Sequence, residues 1–100
     1  MAVTVKIPTQ LRSVTDDEIR AGIRLLAETT GVFTETAGGV TTAVLAKLAE
    51  RGDIGAGERV VAYITGDGLK TLGAVEGTFA VTEIAPSLAE FETAFGEVTV

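Results

Sequence analysis

A short glycine-containing turn near the middle of the chain is the strongest local candidate for ligand chemistry. Thr65-Gly66-Asp67-Gly68-Leu69-Lys70-Thr71 directly follows the apolar run Val60–Ile64. Ligands collect beyond the carboxyl ends of strands in open α/β sheets, and glycine lets a ligand approach the backbone closely. A plain turn joining two elements is the competing interpretation. No glycine stands immediately before Lys70, so the segment is not a Walker-type phosphate loop.

Two further segments carry polar groups that suggest chemistry. In Glu35-Thr36-Ala37-Gly38-Gly39, a glycine pair at the start of a helix could bring amides close to an anion, although a plain loop is the simpler interpretation. Asp16-Asp17-Glu18 resembles a metal cluster in composition. Its place in the first turn of a predicted helix favours interaction with the helix dipole instead. We therefore predict no metal site.

Residue types that are absent exclude several functional classes. The chain holds no cysteine and no histidine. Disulfides, thiol chemistry, nearly all zinc sites and histidine-based triads are therefore excluded. The net charge of −6 comes with eight basic residues that form no cluster, so neither nucleic acid nor an anionic membrane is expected as a partner.

The hydropathy pattern predicts a cytoplasmic protein with an exposed apolar surface. The longest apolar run, Val60–Ile64, is far too short to span a membrane, and Met1–Pro8 alternates instead of forming a signal-peptide core. Hydrophobic residues make up 46% of the chain, and the mean hydropathy is +0.38. A single small domain cannot bury all of them, so we expect a homo-oligomer or a complementing chain.

Helical patterns with clear start and stop signals occupy three parts of the chain. Thr15-Asp16-Asp17-Glu18 predicts a capping box that opens a helix ending at Gly31. A second helix is predicted from about Val40 to Arg51, with an apolar side of Val44, Leu45 and Leu48. Ser87-Leu88-Ala89-Glu90 predicts another capping box and a short helix through Phe95.

Strand patterns occur between and around these helices. Val3–Ile7 alternates with period two, Val60–Ile64 has the continuous apolar character of a strand covered on both faces, and Phe79–Ile84 is a further candidate. Glu97–Val100 is either a last strand or a tail. The pattern predicts one α/β domain over residues 1–100, with about three or four strands, partly parallel, and about three helices.

Three ordered blocks of sequence resemble the last stretch of threonine synthase over residues 15–75. The match runs through Thr15–Ile19, Gly31–Thr41 and Val60–Thr71. That family belongs to the fold-type-II pyridoxal-phosphate enzymes and converts O-phosphohomoserine and water into threonine and phosphate. The resemblance divides the chain into residues 1–13, the matching part 14–76 and an extension 77–100.

The resemblance implies cofactor-binding roles for four residues. Thr65 matches the hydroxyl residue that hydrogen-bonds the pyridine nitrogen of pyridoxal phosphate, and such a neutral partner tunes the electron demand of the cofactor. Gly66 and Gly68 would let the backbone pass beside the ring. Glu35 and the adjoining Ala37–Gly39 match a stretch that lines the cofactor side of the cleft.

The catalytic machinery of the family is not matched. Its Schiff-base lysine and glycine-rich phosphate cup lie upstream of the matching segment, and Lys6, Lys47 and Lys70 stand in no corresponding motif. The resemblance therefore implies no catalytic residue in this chain. We expect it to be inactive alone and not to retain pyridoxal phosphate.

Two alternative functions compete with this interpretation. Residues 1–12 resemble the opening strand of ubiquitin-like sulfur carriers, which suggests a chimera, natural or constructed. That family works through a C-terminal Gly-Gly, whereas this sequence ends Gly96-Glu97-Val98-Thr99-Val100. The second alternative is a small self-associating interaction module whose apolar excess is covered by oligomerisation.

Overall fold

The described part of the chain is helical. A computed structural model describes residues 13–97, which contain three α-helices and one 3₁₀ segment. Helix α1 spans Asp16–Thr30, α2 spans Thr36–Glu50, the 3₁₀ segment spans Gly68–Val75, and α3 spans Leu88–Phe95. The 3₁₀ segment is kinked at Thr71, whose backbone leaves the helical region. The candidate functional residues lie between α1 and the end of the 3₁₀ segment.

Helix α1 begins and ends as the sequence predicts. The Thr15 hydroxyl accepts from the amide of Glu18 at 3.2 Å, and the Glu18 carboxylate accepts from the amide of Thr15 at 2.8 Å. Both bonds of the capping box are therefore present. Gly31 ends the helix at φ 75°, a left-handed conformation that favours glycine.

Helix α2 begins one turn earlier than predicted and buries a different side. Gly38 and Gly39 lie inside the helix and are buried, together with Thr42 and Ala43. The predicted apolar side, Val44, Leu45 and Leu48, is only half-buried. Small residues define the contact face because they let the backbones of the two helices approach each other closely.

Helices α1 and α2 form an antiparallel hairpin, and the two helices cross at Gly22 and Gly39. A Cβ atom on Gly22 would lie 2.5 Å from the carbonyl oxygen of Gly39, and one on Gly39 would lie 2.8 Å from that of Ile19. Ile23, only 2% exposed, packs against Gly39 at this crossing. The five-residue connection of residues 31–35 is typical of two antiparallel neighbours.

An ion pair links the far ends of the two helices. Lys47 donates to the Glu18 carboxylate at 2.8 Å and to the carbonyl oxygen of Ser13 at 3.3 Å. The hydrogen bond from Lys47 is the largest cause that lowers the pKa of Glu18, and the Thr15 amide lowers it further. The carboxylate that completes the capping box therefore also connects α1 to α2.

We expect the stability of the hairpin to fall in acid because of Glu18. The pKa of Glu18 in the folded chain lies below the ordinary value of 4.5. The contribution of Glu18 to the free energy of unfolding is therefore complete above pH 4.5 and is lost as the pH falls through the folded pKa. Glu18→Gln should flatten the dependence of the unfolding free energy on pH below about pH 5, measured by urea denaturation. Glu28→Gln, on the same helix, controls for the loss of one negative charge. Equal slopes for wild type and Glu18→Gln would contradict this assignment.

The predicted α/β sheet is wrong for the described residues. Residues 60–64 and 79–84 form no strand, and the one ladder contact in residues 13–97 is an isolated antiparallel bridge between Thr34 and Asp67. A strand needs a neighbouring backbone to accept and donate its hydrogen bonds, and neither segment has one among these residues. The apolar run Val60–Ile64 reflects strand propensity without a partner strand. The predicted strand Val3–Ile7 and residues 98–100 lie outside the described residues.

Helix α3 begins at its predicted cap, although only half of the predicted capping box forms because the Ser87 amide donates to the carbonyl oxygen of Ala85, and the helix stays at the surface. The Ser87 hydroxyl accepts from the amide of Glu90 at 3.2 Å, and Gly96 ends the helix. None of its residues is buried, and the rings of Phe91 and Phe95 lie 4.9 Å apart. Across residues 13–97, no helix combines the length and apolar character needed to cross a bilayer.

Candidate functional site

The two candidate segments meet at the Thr34–Asp67 bridge. The amide of Glu35 donates to the carbonyl oxygen of Gly66 at 3.1 Å, and the amide of Gly68 donates to that of Phe33 at 3.1 Å. These reciprocal bonds join the start of α2 to the start of the 3₁₀ segment. Segments that are about thirty residues apart in the chain thus form one local structure.

A buried threonine hydroxyl reinforces this bridge. Thr34 is 1% exposed, and its hydroxyl lies 3.3 Å from the carbonyl oxygen of Gly66 and 3.3 Å from that of Glu35. The single hydroxyl proton is therefore directed at the two backbone carbonyls that flank the bridge. Buried polar groups are costly without a partner, so this hydroxyl favours one arrangement of the two segments.

Three of the four predicted cofactor residues lie together. The Glu35 carboxylate rests against Gly66, in the position that a Cβ atom at residue 66 would occupy. The ring of Phe33 covers Gly68 in the same manner, 2.5 Å from where a Cβ would lie. A side chain at residue 68 would have to displace the Phe33 ring, whereas one at residue 66 would require the flexible Glu35 carboxylate to swing aside.

Thr65, the fourth predicted residue, lies beside this cluster with a free hydroxyl. It is exposed and immediately precedes Gly66, the residue whose carbonyl the bridge holds. Among residues 13–97 no group hydrogen-bonds its side chain. The bridge therefore fixes the Gly66–Asp67 peptide, one residue beyond Thr65.

Side chains of the 3₁₀ segment complete the junction. The Thr71 hydroxyl accepts from the amide of Thr36 at 3.2 Å and so caps the start of α2, where Glu35 provides no side-chain cap. Asp67 accepts from the amide of Leu69 at 2.8 Å and caps the 3₁₀ segment itself. Arg20 of α1 donates to the carbonyl oxygen of Ala74 at 3.0 Å and ties down the segment's far end.

The glycine pair of α2 serves packing instead of facing open space. The position of a Cβ on Gly38 is filled by the Thr34 side chain, and that on Gly39 by Ile19 and Ile23. Two of the three acidic residues at the start of α1 are likewise engaged. Glu18 binds Lys47, and Asp17 pairs with Arg20 at 3.0 Å.

Sequence reasoning missed the residues that assemble this site. Phe33, Thr34 and Thr71 stand within the blocks that carry the resemblance, yet nothing in their spacing shows that they meet. The one indication in the sequence is that small and hydroxyl-bearing residues occur in both segments that form the bridge. Such residues allow close backbone approach but do not identify their partners.

Comparison with known proteins places these residues in a family. The family model described as pyridoxal-phosphate dependent enzyme matches residues 3–66. Threonine synthase of Bacillus sp. (strain ULM1) is 46% identical over 61 residues, which cover 61% of this chain and 17% of that protein. Threonine synthase of Methanocaldococcus jannaschii is 47% identical over 58 residues, covering 58% of this chain and 14% of the relative.

These matches cover only a small part of each relative. The enzyme of Mycobacterium leprae is 43% identical over 58 residues and is covered to 16% of its length, so the chain spans about a sixth of the curated relatives that it matches. The family match itself covers more than half of this chain. The chain therefore belongs to the pyridoxal-phosphate-dependent enzyme family, with a segment that resembles threonine synthase.

Proposed function

We propose that the chain provides the cofactor-edge part of a threonine-synthase-like site, from an enzyme that converts O-phosphohomoserine and water into threonine and phosphate. The observation that carries the proposal is the Thr34–Asp67 bridge. It joins Glu35, Gly66 and Gly68 and sets the available hydroxyl of Thr65 beside them. The relatives named threonine synthase match 61 and 58 residues of the chain, and the family model matches residues 3–66.

The residues present fit the edge of a pyridine ring. Thr65 offers an exposed hydroxyl that is free to donate to a ring nitrogen, with its neighbour Gly66 fixed by two hydrogen bonds. A neutral donor leaves that nitrogen unprotonated, which moderates the electron-withdrawing power of the ring. Pyridoxal phosphate, when bound, supplies the electron sink for carbanion chemistry.

The remaining residues of the cluster orient this donor. The Thr34 hydroxyl and the amide of Glu35 both donate to the Gly66 carbonyl, which limits rotation of the Gly66–Asp67 peptide, one residue beyond Thr65. The Glu35 carboxylate covers one side of Gly66, and Phe33 covers Gly68. Gly66 is thereby half-buried and Gly68 buried, whereas Thr65 is exposed.

The chain by itself is proposed to lack catalysis and to need a complementing body. Of its lysines, Lys47 is engaged with Glu18 and Ser13 at the opposite end of the hairpin from the bridge, and Lys70 stands in no matching motif. A covalent anchor and a phosphate-binding loop must come from elsewhere for turnover. The isolated chain is expected to release no phosphate from O-phosphohomoserine.

A graft into a complete relative tests this function. The 61-residue stretch of the Bacillus sp. (strain ULM1) enzyme that matches this chain is replaced by the chain's own residues. We expect the graft to release phosphate from O-phosphohomoserine. In the graft Thr65→Val should lower kcat/KM about tenfold or more, because one hydrogen bond to the ring is lost.

Thr65→Ser is the matched control, since it keeps the hydroxyl and loses only a methyl group. It should retain most of the activity and the absorbance spectrum of the bound cofactor, whereas Thr65→Val should shift that spectrum. A folded, cofactor-loaded graft that releases no phosphate would contradict the proposed function. Equal kinetics and spectra for the Val and Ser variants would contradict the role of Thr65.

A further inference from the structure

Residues 60–65 form an apolar segment that is largely exposed. Val61 is 76% exposed, Tyr63 is 79% exposed and Val60 is 50% exposed, whereas Ile64 is half-buried. The six residues Val-Val-Ala-Tyr-Ile-Thr contain no charge, no proline and no glycine. This composition has high strand propensity and is typical of segments that pair with another chain.

Within residues 13–97 the backbone of this segment is also unpaired. Residues 60–65 make no backbone hydrogen bond to any other residue of the range 13–97. A run of exposed amides and carbonyls without partners can act as a template for a second strand. A second exposed stretch, residues 79–84, is interrupted by the charge of Glu83 and is the weaker template.

We propose that two copies of this chain pair through residues 60–64 as an antiparallel two-stranded ribbon centred on Ala62. In this register Val60 faces Ile64 of the second copy, and Val61 faces Tyr63. All four large apolar side chains thereby pair with one another, and cross-strand pairs of this kind stabilise a ladder. The small side chain of Ala62 lies at the two-fold axis, where it meets its own copy.

In neighbouring registers these apolar side chains lie opposite charged or small residues. A ribbon centred on Val61 would set Tyr63 opposite Arg59 and Ile64 opposite Glu58. A ribbon centred on Tyr63 would set Val60 opposite Gly66 and Val61 opposite Thr65. Because a symmetric antiparallel pair must be centred on a residue, Ala62 is the centre that keeps the apolar pairs intact.

Charge complementarity favours a second copy as the occupant. The register centred on Ala62 places Arg59 of one copy opposite Thr65 of the other and diagonal to Asp67. Arg59 makes no ion pair within residues 13–97. The pairing therefore gives this cation an acidic neighbour and brings it beside the available hydroxyl of Thr65.

A dimer held by a short ribbon should be weak and sensitive to salt. One pair of strands is a small interface, so dissociation on the order of micromolar is expected. Each copy carries a net charge of −6, and this repulsion opposes association. Added salt screens it, so dimerisation should strengthen between about 20 mM and 200 mM sodium chloride.

Single cysteines read out the register directly, because the chain contains no cysteine of its own. Val61→Cys, Ala62→Cys and Tyr63→Cys are oxidised separately at a concentration where sedimentation equilibrium shows dimer. Ala62→Cys should form a disulfide-linked dimer at least about tenfold faster than the other two, since only residue 62 meets itself. Ala56→Cys, at an exposed site in the preceding loop, measures random collision.

Several outcomes decide the proposal. Val61→Pro and Ala62→Pro are compared, because the amide of one of these two neighbouring residues must donate into the ladder; that variant should shift the chain to monomer while leaving the helical circular dichroism unchanged. A monomer at every concentration and salt, or fibres in place of a dimer, would overturn the proposal. So would faster cross-linking at residue 56, 61 or 63, or protection of amides 60–64 that does not depend on concentration.

Discussion

Gly22→Ala is expected to lower the free energy of unfolding by about 2–3 kcal/mol, although alanine is the better helix former. The added methyl group would lie 2.5 Å from the carbonyl oxygen of Gly39 and 3.1 Å from the amide nitrogen of Ala43. Both atoms belong to the backbone of α2, so no side-chain rotation can relieve the contact. The helices must move apart and loosen the packing of Ile23.

Urea denaturation followed by circular dichroism measures this effect, with Gly73→Ala as the matched control. A Cβ on Gly73 would meet no atom within 4 Å, and its backbone dihedrals suit alanine. The control should be neutral or slightly stabilising because it restricts the unfolded chain. Equal stability of Gly22→Ala and Gly73→Ala would show that α1 and α2 do not cross at Gly22.

Gly38→Ala is expected to be nearly as harmful, and it should also disrupt the candidate site. The added methyl group would occupy the place of the Thr34 hydroxyl and would lie 2.7 Å from the Thr34 Cβ. Because Thr34 is 1% exposed, it has little room to move. A loss of about 1–3 kcal/mol is expected, and hydrogen exchange of the Glu35 and Gly68 amides, which form the bridge, should accelerate.

Thr34→Gly tests the cause of this loss, because it removes every Thr34 atom that the new methyl group would touch. The double variant should be more stable than the sum of the two single effects by about 1–2 kcal/mol. Strict additivity of the two substitutions would mean that Gly38 and Thr34 do not contact each other. If the amides of Glu35 and Gly68 still exchange slowly in Gly38→Ala, the bridge does not depend on the contact between Gly38 and Thr34.

The sequence alone predicted where α1 and α3 begin and end, because these limits depend on local signals. The capping residues Thr15, Glu18 and Ser87 act across three positions, so their spacing is sufficient to place a helix start. Gly31 stops α1 through its own backbone conformation. The family resemblance is confirmed by the comparisons, whereas the cofactor role of Thr65 stays a prediction.

Other features depended on contacts that no local pattern encodes. Helix α2 begins earlier than predicted because Gly38 and Gly39, which resemble loop residues, lie inside the helix and pack against Thr34 and α1. The face that α2 buries is set by close backbone approach and not by its largest apolar side chains. Neither could be predicted without knowing which helix lies opposite.

Tertiary structure also determined whether the predicted strands form and how the site is arranged. Val60–Ile64 has the composition of a strand, but a strand forms only when another backbone pairs with it, and residues 13–97 supply none. The bridge from Thr34 to Asp67 closes a loop of more than thirty residues. Side-chain types reveal that such a contact is permitted, whereas the packing of α1 on α2 determines that it is made.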